Sequence, residues 1–274
     1  MKRVVFFVIA GLVVVGAAQA AEFSTDALPA AGPSGPAQSG SDGAINITQN
    51  TDPATVGTGS IACSGDSGFT VTDNQYLRRF FLNADHGISV QFNVTDVSYG
   101  VETADDRGVG GRPINATLNL YSIGNGAAFT YANMSSVGSA ALSIPDGTSQ
   151  TILNQVVTGS ILDPVAQDLV VEVANPDYTG EFAFFFGSNS AGESQPGYLA
   201  SVSCGLTDPL TFGSIGFPTV HIVMVVSGDE QVVPTSTPPP AVAAEPVPSL
   251  NTYGIIAMVV LLVGVAVLVM WRRS

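Results

Sequence analysis

Two apolar runs stand at opposite ends of the chain, residues 4–18 and 255–271. Lys2 and Arg3 precede the first, and Arg272 and Arg273 follow the second. A chain laid out this way commits both ends to targeting and membrane chemistry, so only the stretch between them is left to fold into a water-exposed domain. The runs account for much of the positive mean hydropathy, +0.36, of a chain with only 11% charged residues. There is no third apolar span, no Gly-X-Y period and no heptad, which excludes polytopic membrane, collagen and coiled-coil architectures.

At the N-terminus the basic pair, the apolar stretch and Ala18-Gln19-Ala20 give the three-part layout of a secretory signal. Residues 1–20 are therefore expected to pass the export machinery and be removed by signal peptidase before Ala21. An uncleaved anchor is the competing reading, disfavoured by the short run. Residues 21–250 then hold four Arg and no Lys against all 22 acids, a net charge of −18. So negative a surface excludes nucleic-acid binding and attraction to anionic lipid.

At the other end, residues 231–246 read QVVPTSTPPPAVAAEP, where repeated Pro removes backbone donors and predicts an extended linker. Residues 255–271 would cover about 25 Å as a helix, enough for a thin bilayer, with Tyr253 and Trp271 near the interfaces. Arg272 and Arg273 sit where a cytoplasmic stop belongs, so the expectation is a membrane-anchored precursor with its N-terminal side outside.

Ahead of that run stand Val247, Pro248, Ser249, Leu250, Asn251, Thr252, Tyr253 and Gly254. This tail resembles the IPTL variant of the PEP-CTERM bacterial sorting signals, whose pattern is Ile-Pro-Thr-Leu-Ser-Glu-Trp-Gly, an apolar helix and an Arg cluster. Pro248, Leu250 and Gly254 match outright; Val247, Ser249 and Tyr253 are conservative stand-ins; Asn251 and Thr252 depart from Ser-Glu. The resemblance covers residues 247–274. It implies an exosortase partner that removes or exchanges the tail after transient residence in the inner membrane of a Gram-negative host, delivering the rest to the cell surface or matrix. A plain transmembrane anchor and a glycolipid-anchor signal are the alternatives; neither explains both the Pro-Ser-Leu-x-x-Tyr-Gly block and the terminal Arg pair.

Residues 21–44 are rich in Ala, Gly, Ser and Pro and read as a flexible arm. From 45 to 228 the texture changes to short β-branched or alternating runs separated by Gly, Asn, Asp and Pro. Strands are expected near 68–72, 76–82, 88–99, 114–123, 127–131, 140–144, 151–158, 168–174, 181–186 and 220–226. With no long helical period and no repeat, the prediction is an all-β domain, an antiparallel β-sandwich of jelly-roll type. Cys63 and Cys204 lie near its two ends and in an exported protein are expected to form a disulfide, free thiols being the alternative. The blocks Cys63 to Phe69, Asp168 to Val173 and Ile215 to Pro218 also resemble a β-rich surface domain of exported bacterial proteins, one that brings no catalytic residues with it.

Chemistry is sparse. Gly65-Asp66-Ser67-Gly68 resembles the nucleophile surround of trypsin-like proteases, but no His precedes His86 and Phe69 stands where that family has Gly. A triad of Ser67 with His86 or His221 is the alternative to a plain turn. The acids Asp85, Asp96, Glu102, Asp105 and Asp106 cluster in sequence, and Asp105 and Asp106 are weak Ca²⁺ candidates beside the reading of a solvated loop. The expected function is a non-enzymatic structural or adhesive protein of the surface or an exopolysaccharide matrix. Its rivals are a carbohydrate-binding module using exposed Tyr76, Tyr99, Tyr121 or Tyr131, and a secreted hydrolase.

Overall fold

The computed structural model describes residues 22–25, 45–65, 70–231 and 252–272. In chain order the elements are β1 (Glu22–Thr25), β2 (Ile45–Thr48), β3 (Ile61–Ser64), β4 (Asn74–Phe80), α1 (Leu82–His86), β5 (Gln91–Asp106), β6 (Ile114–Gly124), β7 (Met134–Ile144), β8 (Thr148–Ile161) and β9 (Gln167–Asn175). Then come β10 (Phe182–Phe186), β11 (Ser188–Asn189), β12 (Gly197–Ser201), β13 (Leu206–Thr211), β14 (His221–Ile222), β15 (Met224–Gln231) and α2 (Thr252–Trp271). The domain is all-β and its sheets are antiparallel.

A six-stranded sheet runs β13-β12-β4-β9-β6-β7. A five-stranded sheet runs β10-β5-β15-β2, with β8 also on β5. The long β5 presents one edge to β8 and shares the other between β15, along residues 91–99, and β10, along 101–106. Gly100 marks the hand-over: its N–H donates to Val223 O, the Gly187 N–H donates to Gly100 O, and the Val223 N–H donates to Gly187 O. A Cβ on Gly187 would collide with the Gly100 backbone, so only glycine permits that approach.

One hydrophobic cluster draws on both sheets. Tyr76 and Phe80 of β4, Leu118 and Leu120 of β6, and Val171 and Val173 of β9 meet Phe92 and Val97 of β5 and Phe184 and Phe186 of β10. The Tyr76 ring stacks on Phe186 at 5.1 Å and meets Phe184 edge-on at 6.2 Å. The two-residue strand period explains the selection: in β6, Ile114, Ala116 and Leu118 are buried while Asn115 and Thr117 between them are exposed.

The structure moves several expectations. Residues 127–131 form no strand but a turn leading into a 3₁₀ turn at Tyr131–Asn133. β1 lies inside the stretch read as a flexible arm and pairs with β3, and β2, β3, β12 and β13 come from sequence not read as strand. Tyr76 and Tyr99 are core residues rather than exposed rings, and the Tyr76 hydroxyl donates to Ile61 O. Cys63 in β3 and Cys204 just after β12 form the disulfide, tying two elements 141 positions apart.

Separately from that domain, α2 is a 20-residue helix that begins three positions before the expected span. Among the described residues no helix is long and apolar enough to cross a membrane. The side chains at 252–256, 258 and 266 of α2 lie outside that description, and every described side chain of α2 is exposed.

Candidate functional site

The outer face of the six-stranded sheet carries a network of buried polar side chains. Strand periodicity sends consecutive arginines of β4 to opposite sides. Arg78 points into the core, where its guanidinium reaches Ile222 O, Gln195 O and, at 2.8 Å, the Glu193 carboxylate. Arg79 points outward and pairs with Asp168 of β9 at 2.7 Å, both side chains almost fully buried. Its other donors hold Ala127 O and Gly124 O, and its charge lies 5.0 Å from the Phe81 ring centre and 6.0 Å from that of Phe129. Burial pushes the Asp168 carboxyl above the usual range, opposed by the Arg79 hydrogen bond and charge. This arginine fastens residues 124–133 across the sheet.

That segment brings two rings with it. Phe129 packs on Tyr198 of β12 with centroids 4.2 Å apart, within a small second cluster that includes Leu77, Ile123 and Val170. Tyr131 donates its hydroxyl to Glu172 Oε2 at 2.7 Å. The same carboxylate accepts from Asn119 Nδ2 at 2.8 Å and the Tyr121 hydroxyl at 3.1 Å, both through Oε1. Glu172 is 3% exposed, and these three donors replace the water it has lost. Burial and then the Glu172 charge push both tyrosine hydroxyls well above their ordinary range, so they stay protonated as donors.

Beside this network opens a cleft of about 330 Å³ lined by Gln75, Tyr131, Glu172, Ala174, Val202, Leu206 and Thr207. Its lining brings the amide side chain of Gln75 and the hydroxyl side chain of Thr207 beside the apolar Ala174, Val202 and Leu206, while the Glu172 carboxylate is already engaged by its three donors. That inventory suits a neutral ligand rich in hydroxyls. The sequence did carry a signal for it: Glu172 is a lone acid within Leu169-Val170-Val171-Glu172-Val173, where an ionised side chain must be partnered.

No family model, curated protein or solved structure matches this chain.

The residues singled out from sequence fall elsewhere. Asp105 pairs with Arg107 at 2.8 Å, and Asp106 takes Arg112 at 2.8 Å together with the N–H of Gly108. Arg112 foremost holds the Asp106 carboxyl far below the usual carboxylate range. Glu102 accepts the N–H groups of Gly59 and Ser60, Asp96 takes the Ser227 hydroxyl, and Asp85 takes the Gln195 amide. Thus the five acids close in sequence are engaged one by one by different partners. Among the described residues no three His, Cys, Asp or Glu side chains are grouped to hold a metal.

His221 Nδ1 accepts the Gly192 N–H at 3.0 Å, while His86 Nε2 is buried without a hydrogen-bond partner, and burial lowers its pKa. Ser67, Ala18, Ala20, Ala21, Val247, Pro248, Ser249, Leu250 and Arg273 lie outside the described residues. Tyr253 and Gly254 fall in the first turn of α2, and Arg272 directly follows its last residue.

Proposed function

We propose that this protein is an exported structural or adhesive component of the cell surface or extracellular matrix. Its residues 45–228 form a jelly-roll-like β-sandwich, and its tail is handled by an exosortase. One observation carries the reading: in the sequence the ordered block Pro248-Ser249-Leu250-x-x-Tyr253-Gly254 is followed by the apolar run 255–271 and then by Arg272 and Arg273. The described side chains of α2 are exposed and include many Val and Leu, which supports the reading that this segment meets a lipid surface before the tail is processed. The Cys63–Cys204 bridge supports residence in an oxidising compartment outside the cytosol. Mass spectrometry of the protein recovered from the surface of its native host tests the proposal. The expected product starts at Ala21 and ends between Val247 and Gly254, whereas surface protein still carrying Ser274 would overturn the sorting step.

The cleft beside Glu172 favours a second reading, a carbohydrate-binding module. Sugar hydroxyls would meet the Gln75 amide and the Thr207 hydroxyl, against the apolar wall of Ala174, Val202 and Leu206. A glycan array tests it. Binding that Gln75→Ala abolishes supports the module, and a blank array leaves the coat-protein reading alone.

A further inference from the structure

We propose that β1 is an exchangeable strand, and that residues 22–25 of one copy pair with β3 of a second copy when the protein assembles. Among the described residues, β1 and β3 form a two-stranded ladder of their own, outside the larger sheets. Glu22 lies opposite Ser64, and Thr25 opposite Ile61. The acceptor is fixed independently of the donor. Cys63 is bridged to Cys204, and its backbone is gripped from another side by Asn74 Oδ1 on its N–H and by the Thr72 N–H on its carbonyl. If β1 leaves, β3 therefore stays in place with an open edge, a template for any strand of matching sequence.

The donor is held lightly. It is four residues long, and Phe23 is half-buried, its ring edge-on to Phe217 at 6.2 Å. Residues 26–44, 19 positions, separate β1 from β2. Such a stretch reaches at most about 65 Å when extended, against a diameter of roughly 40 Å for a domain of this size. The covalent link therefore permits β1 to reach a neighbouring copy. The same reach keeps β1 at high effective concentration near its own β3, so the closed monomer prevails in dilute solution and exchange prevails where copies are crowded. Signal cleavage before Ala21, if it occurs, would leave β1 at a free chain end, with nothing to thread through a partner. The inference does not depend on how the tail is sorted.

The test mixes two isotopic forms of the full chain in mild detergent. One is unlabelled and carries a benzophenone amino acid at Phe23; the other is ¹⁵N-labelled and unmodified. After concentration and irradiation, exchange predicts that the photoadduct joins the unlabelled residue-23 peptide to the ¹⁵N peptide containing Phe217. The inter-copy fraction should rise several-fold between micromolar and millimolar protein. Because the readout is the attachment site, association through α2 in the micelle does not mimic it. A peptide AEFSTD added in trans should compete for β3 and suppress the inter-copy photoadduct. Adducts confined to single isotopic chains at every concentration would overturn the proposal, as would an inter-copy fraction unaffected by the peptide.

Discussion

Arg79→Met removes a charge and little volume from a place where the charge matters. Arg79 and Asp168 are 7% and 3% exposed at the side chain, and their closest contact is 2.7 Å. Deleting one partner of such a pair leaves a buried carboxylate uncompensated, a loss of about 3–5 kcal/mol. For a domain of this size that corresponds to a Tm lower by about 6–20 °C. Urea and thermal unfolding of the oxidised protein would measure it. The pH dependence has a definite sign. Burial already holds the Asp168 carboxyl above the usual range, and without Arg79 it rises further, so the folded variant keeps a proton that the unfolded chain releases. A raised folded pKa means that the deficit is largest near neutrality, where the carboxyl must stay charged, and narrows toward about pH 4. Adding Asp168→Leu should recover most of the loss, since an apolar pair of similar volume is nearly neutral. The reasoning fails if Arg79→Met unfolds like the wild type at neutral pH, if its deficit widens in acid, or if the double variant is less stable than the single one.

Reducing the Cys63–Cys204 bridge, which spans 141 positions, should cost up to about 5 kcal/mol in the chain-entropy model, read as a lower urea midpoint. An unmoved midpoint would assign the closure to packing alone. Asp106 has its carboxyl depressed mainly by Arg112, so its contribution is fully present above the ordinary carboxylate pKa of about 4 and is lost as pH falls through its folded value. Asp106→Asn should flatten the acid limb of the stability profile, and an unchanged limb would refute the assignment. A Cβ on Gly138 would overlap the Thr158 carbonyl oxygen, so Gly138→Ala should destabilise by about 1–3 kcal/mol in thermal unfolding, where a neutral result would show that β7 and β8 can part.

What could be read from the sequence followed from the period-two rule. β6 and β9 were visible because their apolar residues alternate from Ile114 to Leu120 or cluster from Leu169 to Val173. β13 was not, because Pro209 sits inside it, and it is tolerated only because β13 is an edge strand with a bond-free side to offer. The aromatic residues Phe129 and Tyr131 suggested a strand, yet they are apolar in order to cover the outer face from above. The cleft was out of reach for a different reason. Gln75, Tyr131, Glu172 and Thr207 are scattered along the chain and meet only because the strand order places β4 between β12 and β9. A single sequence specifies faces far better than it specifies neighbours.

Among the described residues β2 has one ladder partner, β15, the last strand of the domain. During synthesis at about 5–20 residues per second, β2 leaves the ribosome roughly 10–40 s before the strand that will hold it. For that interval the five-stranded sheet cannot close, whatever the intervening strands do among themselves. The order of strands thus acts as a timer: the edge of that sheet stays open at β2 until its last strand, Met224–Gln231, has been made.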